Sequence, residues 1–237
     1  MTDAAADRYL PQTGLAAKLN WLRAGVLGAN DGIVSTAGLV VGVAAAASST
    51  DTILTAGVAG ISAGAISMAV GEYVSVSTQR DAERAMLAQE CRELEEDPAD
   101  ELDQLTAIYH AKGLSAETAR QVAEELTAFD AFAAHAEAEL GLNPDELTNP
   151  WHAALSSAVS FTLGALLPLL AILLPPTPAR IPVTMVAVLL ALALTGSISA
   201  WLGGSSRVRA VARVVIGGAL AMTVTYSIGQ LADVAGI

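Results

Sequence analysis

The stretch GVLGANDGIVSTAGLVVGVAAAA, from Gly25 to Ala47, decides the fold of this protein. Nearly all of its residues are apolar or small, and Asp31 is the one ionisable residue among them. A helix needs about 20 predominantly apolar residues to cross the hydrocarbon core of a bilayer. The stretch therefore predicts a membrane-spanning helix. Its carboxylate lies well beyond Arg23 and out of easy reach of the interface, so the carboxylate needs an explanation.

The composition of the whole chain is typical of a membrane protein. Of its 237 residues, 53% are hydrophobic and 15% are charged, and the mean hydropathy is +0.51. This is too apolar for an ordinary soluble domain. The formal charge of −12 arises almost entirely from residues 80–146, which hold 18 of the 24 acidic and five of the 12 basic residues. Such a charge argues against nucleic acid as a partner and favours cations.

Five apolar stretches have the length of a bilayer-spanning helix. Short polar breaks at 48–51 and 175–182 make hairpin neighbours of the helices that they join. We therefore predict an all-α protein with two spans, an inserted domain and three further spans. The predicted spans are 24–47, 53–74, 153–174, 183–202 and 211–232.

The basic residues beside these spans predict the orientation of the chain. Lys and Arg in short flanking segments stay on the cytosolic side. One side has Lys18, Arg23, Arg80, Arg84, Arg207, Arg209 and Arg213, whereas the opposite loops offer only Arg180. The N-terminal segment and the insert are therefore expected in the cytosol, and the C-terminus outside. The expected domains are 1–22 (cytosolic segment), 23–79 (first two spans), 80–150 (acidic domain) and 151–237 (last three spans).

The acidic insert has the capping signals of three helices. The second span continues without a helix breaker to about Glu96, and Asp97 with Pro98 begins a second helix. Gly113 ends that helix, and Ser115 caps a third that runs to Gly141. On the first of these helices we expect Leu87, Cys91 and Leu94 to pack inward.

A stripe of acidic residues follows the same helix beside that apolar face. Its members project along one side and are Glu83, Met86, Glu90 and Glu93. A solvated acidic face explains most such runs. If the stripe instead converges with Asp100, Glu101, His135, Glu137 and Glu139, it would suit a borderline divalent metal such as Fe²⁺, Mn²⁺ or Zn²⁺. Only neutral imidazole coordinates a metal, so His135 predicts weaker capture below about pH 6.5.

Within the membrane, Met68 and Glu72 lie four residues apart on the second span. Glu72 lies near the cytosolic boundary, where a side chain can reach the interface, and Asp31 lies deeper. A charge at bilayer depth costs about 3 kcal/mol or more, so such residues usually face a cavity or a partner and mark an ion route. Small residues at four-residue spacing predict close helix contacts, and the first span contains Gly28/Gly32 and Gly38/Gly42.

Four features of the sequence point to one family. They are the segment LRAGVLGANDGIVSTAGLVVGVA, the segment GAISMAVGEYVSVSTQRDAE, the acidic insert with AIYHAKGL and AELGL, and the three-span C-terminal half. Together they resemble the vacuolar iron transporter family. The resemblance runs from about Trp21 to Leu231. It implies a bacterial-type, five-span homodimer in the cell membrane, joined through the first span. Such a protein is not an enzyme and holds no prosthetic group. It exports Fe²⁺, and also Mn²⁺, from the cytosol in exchange for protons, for metal homeostasis and detoxification.

The resemblance also implies roles for individual residues. Asp31 and Met68 would form the ion site at the dimer interface, with Glu72 near its cytosolic entrance. Glu90, Glu93 and Glu101 match carboxylates of a cytosolic metal-binding domain, to which Glu83, Met86, His135 and Glu139 are added here as candidate ligands. Gln104 and His135 stand where relatives carry Glu and Met, which puts the number of bound metals and the selectivity in question.

Two other functions are compatible with parts of the sequence. A membrane-anchored oxidase resembling ferritins would need Glu-x-x-His pairs on two helices, and the sequence has none. A metal sensor or membrane scaffold without transport explains the acidic insert but leaves Asp31 unexplained.

Overall fold

A computed structural model of the chain describes residues 15–46, 49–145 and 147–236, with side chains in the first helix described from Arg23 onward. Most of the expected N-terminal segment 1–22 therefore lies outside the described residues. The described part is helical, with no strand. Its seven α-helices are α1 (Leu15–Ala46), α2 (Thr50–Glu96), α3 (Pro98–Ala111), α4 (Ala116–His135), α5 (Pro150–Leu173), α6 (Arg180–Leu202) and α7 (Arg207–Ala235).

Five of these helices, α1, α2, α5, α6 and α7, are long and apolar enough to cross a membrane. Each contains one of the five predicted spans or most of it. Helix α2 has 47 residues, more than twice the number that a bilayer requires. Its unbroken continuation to Glu96 confirms the sequence interpretation, because no Gly or Pro interrupts the segment after Gly71.

The chain divides into two compact units. One comprises the described residues of Leu19–Val74 and Pro150–Ile237, with the five apolar segments; we call it the membrane unit. The other contains Ser75–Asn149 and is called the acidic unit.

In the membrane unit, α1 packs against helices on two sides. Ile33 and Ala37 belong to a buried cluster with Val188 and Leu192 of α6 and Met222 of α7. A second buried cluster joins Val40 to α2 and α5, through residues that include Ile53, Phe161 and Leu169. Asp31 and Ser35 are exposed on the remaining face of α1.

The glycine pairs of α1 take part in this packing within one chain. A Cβ atom at Gly32 would contact the backbone carbonyl oxygen of Phe161 on α5, and one at Gly28 would lie 2.5 Å from the carbonyl oxygen of Ser157. Gly42 lies close to α7, although less closely than this, and a Cβ there would be 3.1 Å from the carbonyl oxygen of Thr225. The close helix contacts are therefore confirmed, but their partners are helices of the same chain.

In the acidic unit, the predicted caps are confirmed. The Asp97 side chain accepts a hydrogen bond of 3.1 Å from the Asp100 N–H, and the Ser115 side chain accepts one of 3.2 Å from the Thr118 N–H. Gly113 has φ 103°, a left-handed backbone conformation that glycine adopts without steric cost. Local sequence therefore sets the ends of α3 and the start of α4.

The inward face of the α2 segment differs from the prediction at one position. Leu87 is buried as expected and Leu94 is half-buried, but Cys91 is exposed. The buried neighbour on this face is Glu90. An amphipathic pattern assigns carboxylates to the solvent side, and here a cluster of polar ligands draws a carboxylate inward instead.

Candidate metal centre

The end of α4 is irregular, and this irregularity positions two candidate ligands. Asp130 has φ −160° and ψ 94°, which are non-helical values that kink the helix. Its side chain then accepts a hydrogen bond of 3.0 Å from the Ala133 N–H and so caps the restarted segment. A π-helical turn over Ala136–Leu140 follows, ended by Gly141 at φ 64°. Single π-turns frequently occur at functional sites, and this one follows His135 directly and carries Glu139.

Four side chains from three segments meet at this point. They are Glu90 of α2, Glu101 of α3, His135 at the end of α4 and Glu139 of the π-helical turn, and one ligand atom from each lies within 4.8 Å of the others. Three of them are buried, with 2% of Glu90, 6% of Glu101 and none of His135 exposed. Charged residues are almost never buried so fully unless they are paired or bind a metal.

The buried polar atoms of this cluster are not satisfied by hydrogen bonds. His135 Nδ1 lies 3.0 Å from Glu90 Oε1 and 3.3 Å from Glu101 Oε2. None of these three atoms has a hydrogen bond to any atom in the described part of the chain. Buried polar groups without partners are rare in proteins. Carboxylate and imidazole ligand atoms that converge on one point without hydrogen bonds among them are an arrangement that a metal ion can satisfy.

The electrostatics of the cluster are strained when no cation is bound. Burial raises the pKa of Glu90 to about 7, with further contributions from the negative charges of Glu139, Glu101 and Glu93. Burial and neighbouring carboxylates, Glu139 first, also raise the pKa of Glu101. Burial lowers the pKa of His135, and the charge of Glu139 opposes this. The imidazole therefore stays neutral at neutral pH, as a metal ligand must.

The remaining predicted ligands lie outside this group of four. Glu83 is half-buried and accepts a hydrogen bond of 2.8 Å from Gln79, and 42% of the Met86 side chain is exposed. Glu93 is close enough to raise the pKa of Glu90 and accepts a hydrogen bond of 2.9 Å from Gln89. The helix rises 1.5 Å per residue, so Glu83 lies about 10 Å behind Glu90 along the axis.

Sequence reasoning missed two residues that shape the site. The kink at Asp130 has a signal that can be read from the sequence, since Asp is a favoured N-cap residue. The sequence marks Gln104 only as a substitution for Glu. In the structure its side chain donates a hydrogen bond to Glu139. Only the position of α3 beside the π-helical turn reveals this contact.

In the membrane unit, Asp31 and Met68 line one cavity of about 200 Å³. Ser35, Thr36 and Ser67 add hydroxyl groups to its wall. Glu72 is not part of this cavity. It is 12% exposed, and its Oε1 atom lies 3.8 Å from Arg23 Nη2. The structure therefore brings two of the three predicted path residues together and places the third beside a basic residue.

The two sites offer different ligand chemistry. Three carboxylates and an imidazole in the acidic unit suit a borderline divalent ion, and their negative charge matches a dication. The membrane cavity offers one carboxylate, one thioether and hydroxyl groups, and therefore fewer charged ligands for an ion.

Comparisons with known proteins agree with a transport role. The sequence profile of the VIT family matches residues 22–230. A "Vacuolar iron transporter" from Acanthamoeba castellanii is 41% identical over 220 residues, which cover 90% of this chain and 79% of the relative. The "Vacuolar iron transporter homolog 1" of Oryza sativa subsp. japonica is 38% identical, covering 99% and 85%. The "Vacuolar iron transporter homolog 2.1" of Arabidopsis thaliana is 36% identical, covering 89% and 81%.

Proposed function

Because this chain belongs to the VIT family, whose members are transporters and not enzymes, we propose that it exports Fe²⁺ from the cytosol in exchange for protons, with Mn²⁺ as a second substrate. The observation that carries the proposal is the cluster of Glu90, Glu101, His135 and Glu139, in which buried ligand atoms converge without hydrogen bonds. Export of these ions would serve metal homeostasis and detoxification.

The acidic unit would collect the ion before transport. Its centre combines negative charge with ligands for a borderline metal, so it can hold Fe²⁺ or Mn²⁺ at low cytosolic concentration. Glu93 adds a nearby negative charge. Glu83 and Met86 remain predicted ligands that lie further back on the same helix and would serve at the approach to the centre.

The path through the membrane would use Asp31 and Met68. The cavity that they share lies between α1 and α2, and a carboxylate in a span supplies both charge and oxygen to a partly dehydrated dication. Glu72 would admit the ion near the cytosolic end. There its carboxylate forms an ion pair with Arg23. A proton and a dication compete for the single Asp31 carboxylate, and this competition would couple their movements in opposite directions.

The proposed topology has two spans, the acidic unit as an insert, and three further spans. The domain limits stay at 23–79, 80–150 and 151–237. Basic residues at Arg23, at 80–84 and at 207–213 support a cytosolic insert and an external C-terminus. We place the protein in a bacterial cell membrane, although the relatives compared above are eukaryotic proteins.

A homodimer would complete the ion path. The glycine faces of α1 are covered by α5 and α7 of the same chain, whereas Asp31, Ser35 and Leu39 are exposed. We therefore assign the dimer contact to this exposed face. Two such faces would enclose a cavity with two Asp31 carboxylates. Their combined charge would balance a divalent ion better than the charge of a single exposed carboxylate.

The experiment that tests this function is transport by the full chain in proteoliposomes. Fe²⁺ or Mn²⁺ is added outside, and metal entry and internal pH are followed with two dyes. Metal flux with opposite proton movement supports the proposal, and empty liposomes are the control. Tight metal binding by the protein without any flux would instead support a sensor or scaffold.

A further inference from the structure

A second cavity in the membrane unit has no role in metal transport as described above. It lies between α1, α6 and α7 and has a volume of about 460 Å³, which is within the range of small-molecule sites. Its lining contains no acidic residue, His, Cys or Met, so it offers no ligand set for a divalent metal. Its walls are largely apolar and include Val26, Leu27, Leu202 and Val214.

Two arginines line this apolar cavity, Arg23 of α1 and Arg213 of α7. Among the described residues Arg23 has one ion pair, with Glu72 at 3.8 Å, a distance too long for a hydrogen bond. Arg213 has no ion pair with any carboxylate of the described residues. Both guanidinium groups therefore have donors available for an anion. Basic pockets between membrane helices bind anionic lipid headgroups.

The polar side chains of the cavity follow one another from the end of the helices inward in the same order as the phosphodiester and the ester carbonyls of a phospholipid. Arg23 is the first residue of the apolar span of α1 and Gly203 caps the end of α6, so the cavity lies at one end of the apolar spans, where an interface is expected. Ser199 lines the cavity one helical turn before Gly203, and Asn30 lines it two turns beyond Arg23. A hydroxyl and an amide at this depth can donate to the ester carbonyls that lie below a phosphodiester.

The rim of the cavity is open to the surroundings of the membrane unit. The exposed fraction is 54% for Leu27 and 41% for Leu202. In a bilayer such leucines contact acyl chains. Free phosphate would use the arginines but not these walls, and a neutral lipid would use the walls but not the arginines.

We propose that this cavity binds an anionic phospholipid, whose phosphodiester pairs with Arg23 and Arg213 and whose acyl chain lies along Leu27 and Leu202. The charge complementarity selects this occupant, because both arginines line an apolar cavity, Arg213 has no ion pair among the described residues, and Arg23 has only the 3.8 Å contact with Glu72. The proposal does not depend on which metal is transported.

The test uses the full chain in neutral detergent with dioleoylphosphatidylglycerol or dioleoylglycerol, two lipids with the same acyl chains of which only the first carries a phosphodiester. Retained lipid is measured by native mass spectrometry. The parent should bind the anionic lipid more tightly. Arg213→Gln should weaken that binding about fivefold and leave the neutral lipid unchanged. Arg209→Gln is the matched control, since Arg209 is exposed nearby and does not line the cavity.

A filling variant separates the cavity from the general surface charge. Ser199→Leu places a larger side chain inside and should weaken binding of both lipids. Equal effects of Arg209→Gln and Arg213→Gln would overturn the proposal, because diffuse surface charge would then explain the preference. Equal binding of the two lipids by the parent would also overturn it. If Ser199→Leu binds both lipids as tightly as the parent but changes the dimer fraction, the cavity would instead be a contact site for a second copy of the chain.

Discussion

The Gln104 side chain donates a hydrogen bond of 2.6 Å from Nε2 to Glu139 Oε2. Glu139 is the one exposed member of the four-residue metal centre, so this bond holds the ligand that packing fixes least. A glutamine here orients a carboxylate without adding another negative charge. The substitution of Glu by Gln noted in the sequence therefore exchanges a candidate ligand for a group that positions one.

We predict that Gln104→Ala weakens metal binding about tenfold, as is common when a group that orients a metal ligand is removed. Affinity is measured by Mn²⁺ calorimetry on the full chain in an Asp31→Asn background, which removes the membrane carboxylate. Gln121→Ala is the control, because Gln121 makes a similar bond to Glu125 on α4. Equal affinities of the two variants would leave Gln104 without this role.

A second prediction concerns Glu90, where metal affinity and stability should change in opposite directions. Glu90→Gln removes a buried ligand and should lower Mn²⁺ affinity by about a hundredfold. It also removes a buried charge that burial and neighbouring carboxylates disfavour. Without metal and above about pH 7, where Glu90 is charged, the acidic unit should therefore melt several degrees higher, since about 1 kcal/mol corresponds to 2–4 °C in a domain of 150–250 residues and more in a smaller one.

Glu83→Gln is the matched control for this variant. Glu83 lies on the same acidic stripe but outside the cluster, where it accepts a hydrogen bond from Gln79. Its replacement should change neither the affinity nor the melting temperature appreciably. If Glu83→Gln reproduces both effects of Glu90→Gln, the stripe acts as a diffuse charged surface and not as a site.

A third prediction is the pH dependence of metal capture. The pKa of Glu90 is raised from 4.5 to about 7, so a proton competes with the metal below pH 7 and affinity should fall there. The pKa of His135 is lowered, so its protonation affects binding only at a more acidic pH than the 6.5 expected from sequence. The decline near pH 7 should therefore persist in His135→Gln, as measured by Mn²⁺ titration from pH 5.5 to 8.5.

The same shift predicts how the metal-free acidic unit responds to pH. A carboxyl whose pKa is raised in the folded state stabilises that state when it is protonated. Stability from Glu90 is therefore fully present below pH 4.5 and is lost as pH rises through about 7. His135 acts oppositely, since charging it disfavours the folded state at acidic pH. Thermal melting with a chelator should show the fall between pH 5 and 7, and Glu90→Gln should reduce it to the part that is due to Glu101, whose pKa is also raised.

Features set by local sequence were predictable here. The spans, the caps at Asp97 and Ser115 and the end of α3 at Gly113 follow from residue type and periodicity alone. Charge and the family resemblance identify four candidate ligands that meet in the structure, namely Glu90, Glu101, His135 and Glu139. Their convergence depends on how three segments pack, which periodicity along one helix cannot give.

The features that sequence could not give are those that tertiary contacts decide. The glycine pairs of α1 have the same pattern whether they contact another chain or the same one, and here α5 and α7 cover them. Cys91 and Glu90 are adjacent, and hydropathy favours the cysteine as the buried residue. In the fold the glutamate is buried instead, where its carboxylate lies beside His135 and Glu101.

A fourth prediction follows from the contact of Gly32 with α5. A Cβ at Gly32 would overlap the backbone carbonyl of Phe161, and such overpacking typically costs about 1–3 kcal/mol. Gly32→Ala should therefore lower the melting temperature of the full chain in detergent. Gly71→Ala is the control, because no atom lies within 4 Å of a Cβ placed there. A lower dimer fraction at unchanged stability would show that Gly32 acts between chains.

The last prediction concerns Asp31. Asp31→Asn keeps the size and polarity of the side chain but removes the charge and the group that binds a proton. It should abolish Fe²⁺ or Mn²⁺ flux and the accompanying proton movement together, while metal binding by the acidic unit persists. Folding should survive, because a neutral amide costs less to bury than a carboxylate.

Asp51→Asn is the matched control, since Asp51 is an exposed acid in the first turn of α2. Reconstitution at equal protein density, with metal entry and internal pH followed together, separates the alternatives. Flux near the parental rate in Asp31→Asn would leave the carboxylate with a structural role only. Loss of flux in a protein of normal melting temperature, with Asp51→Asn unaffected, would locate the ion path at Asp31.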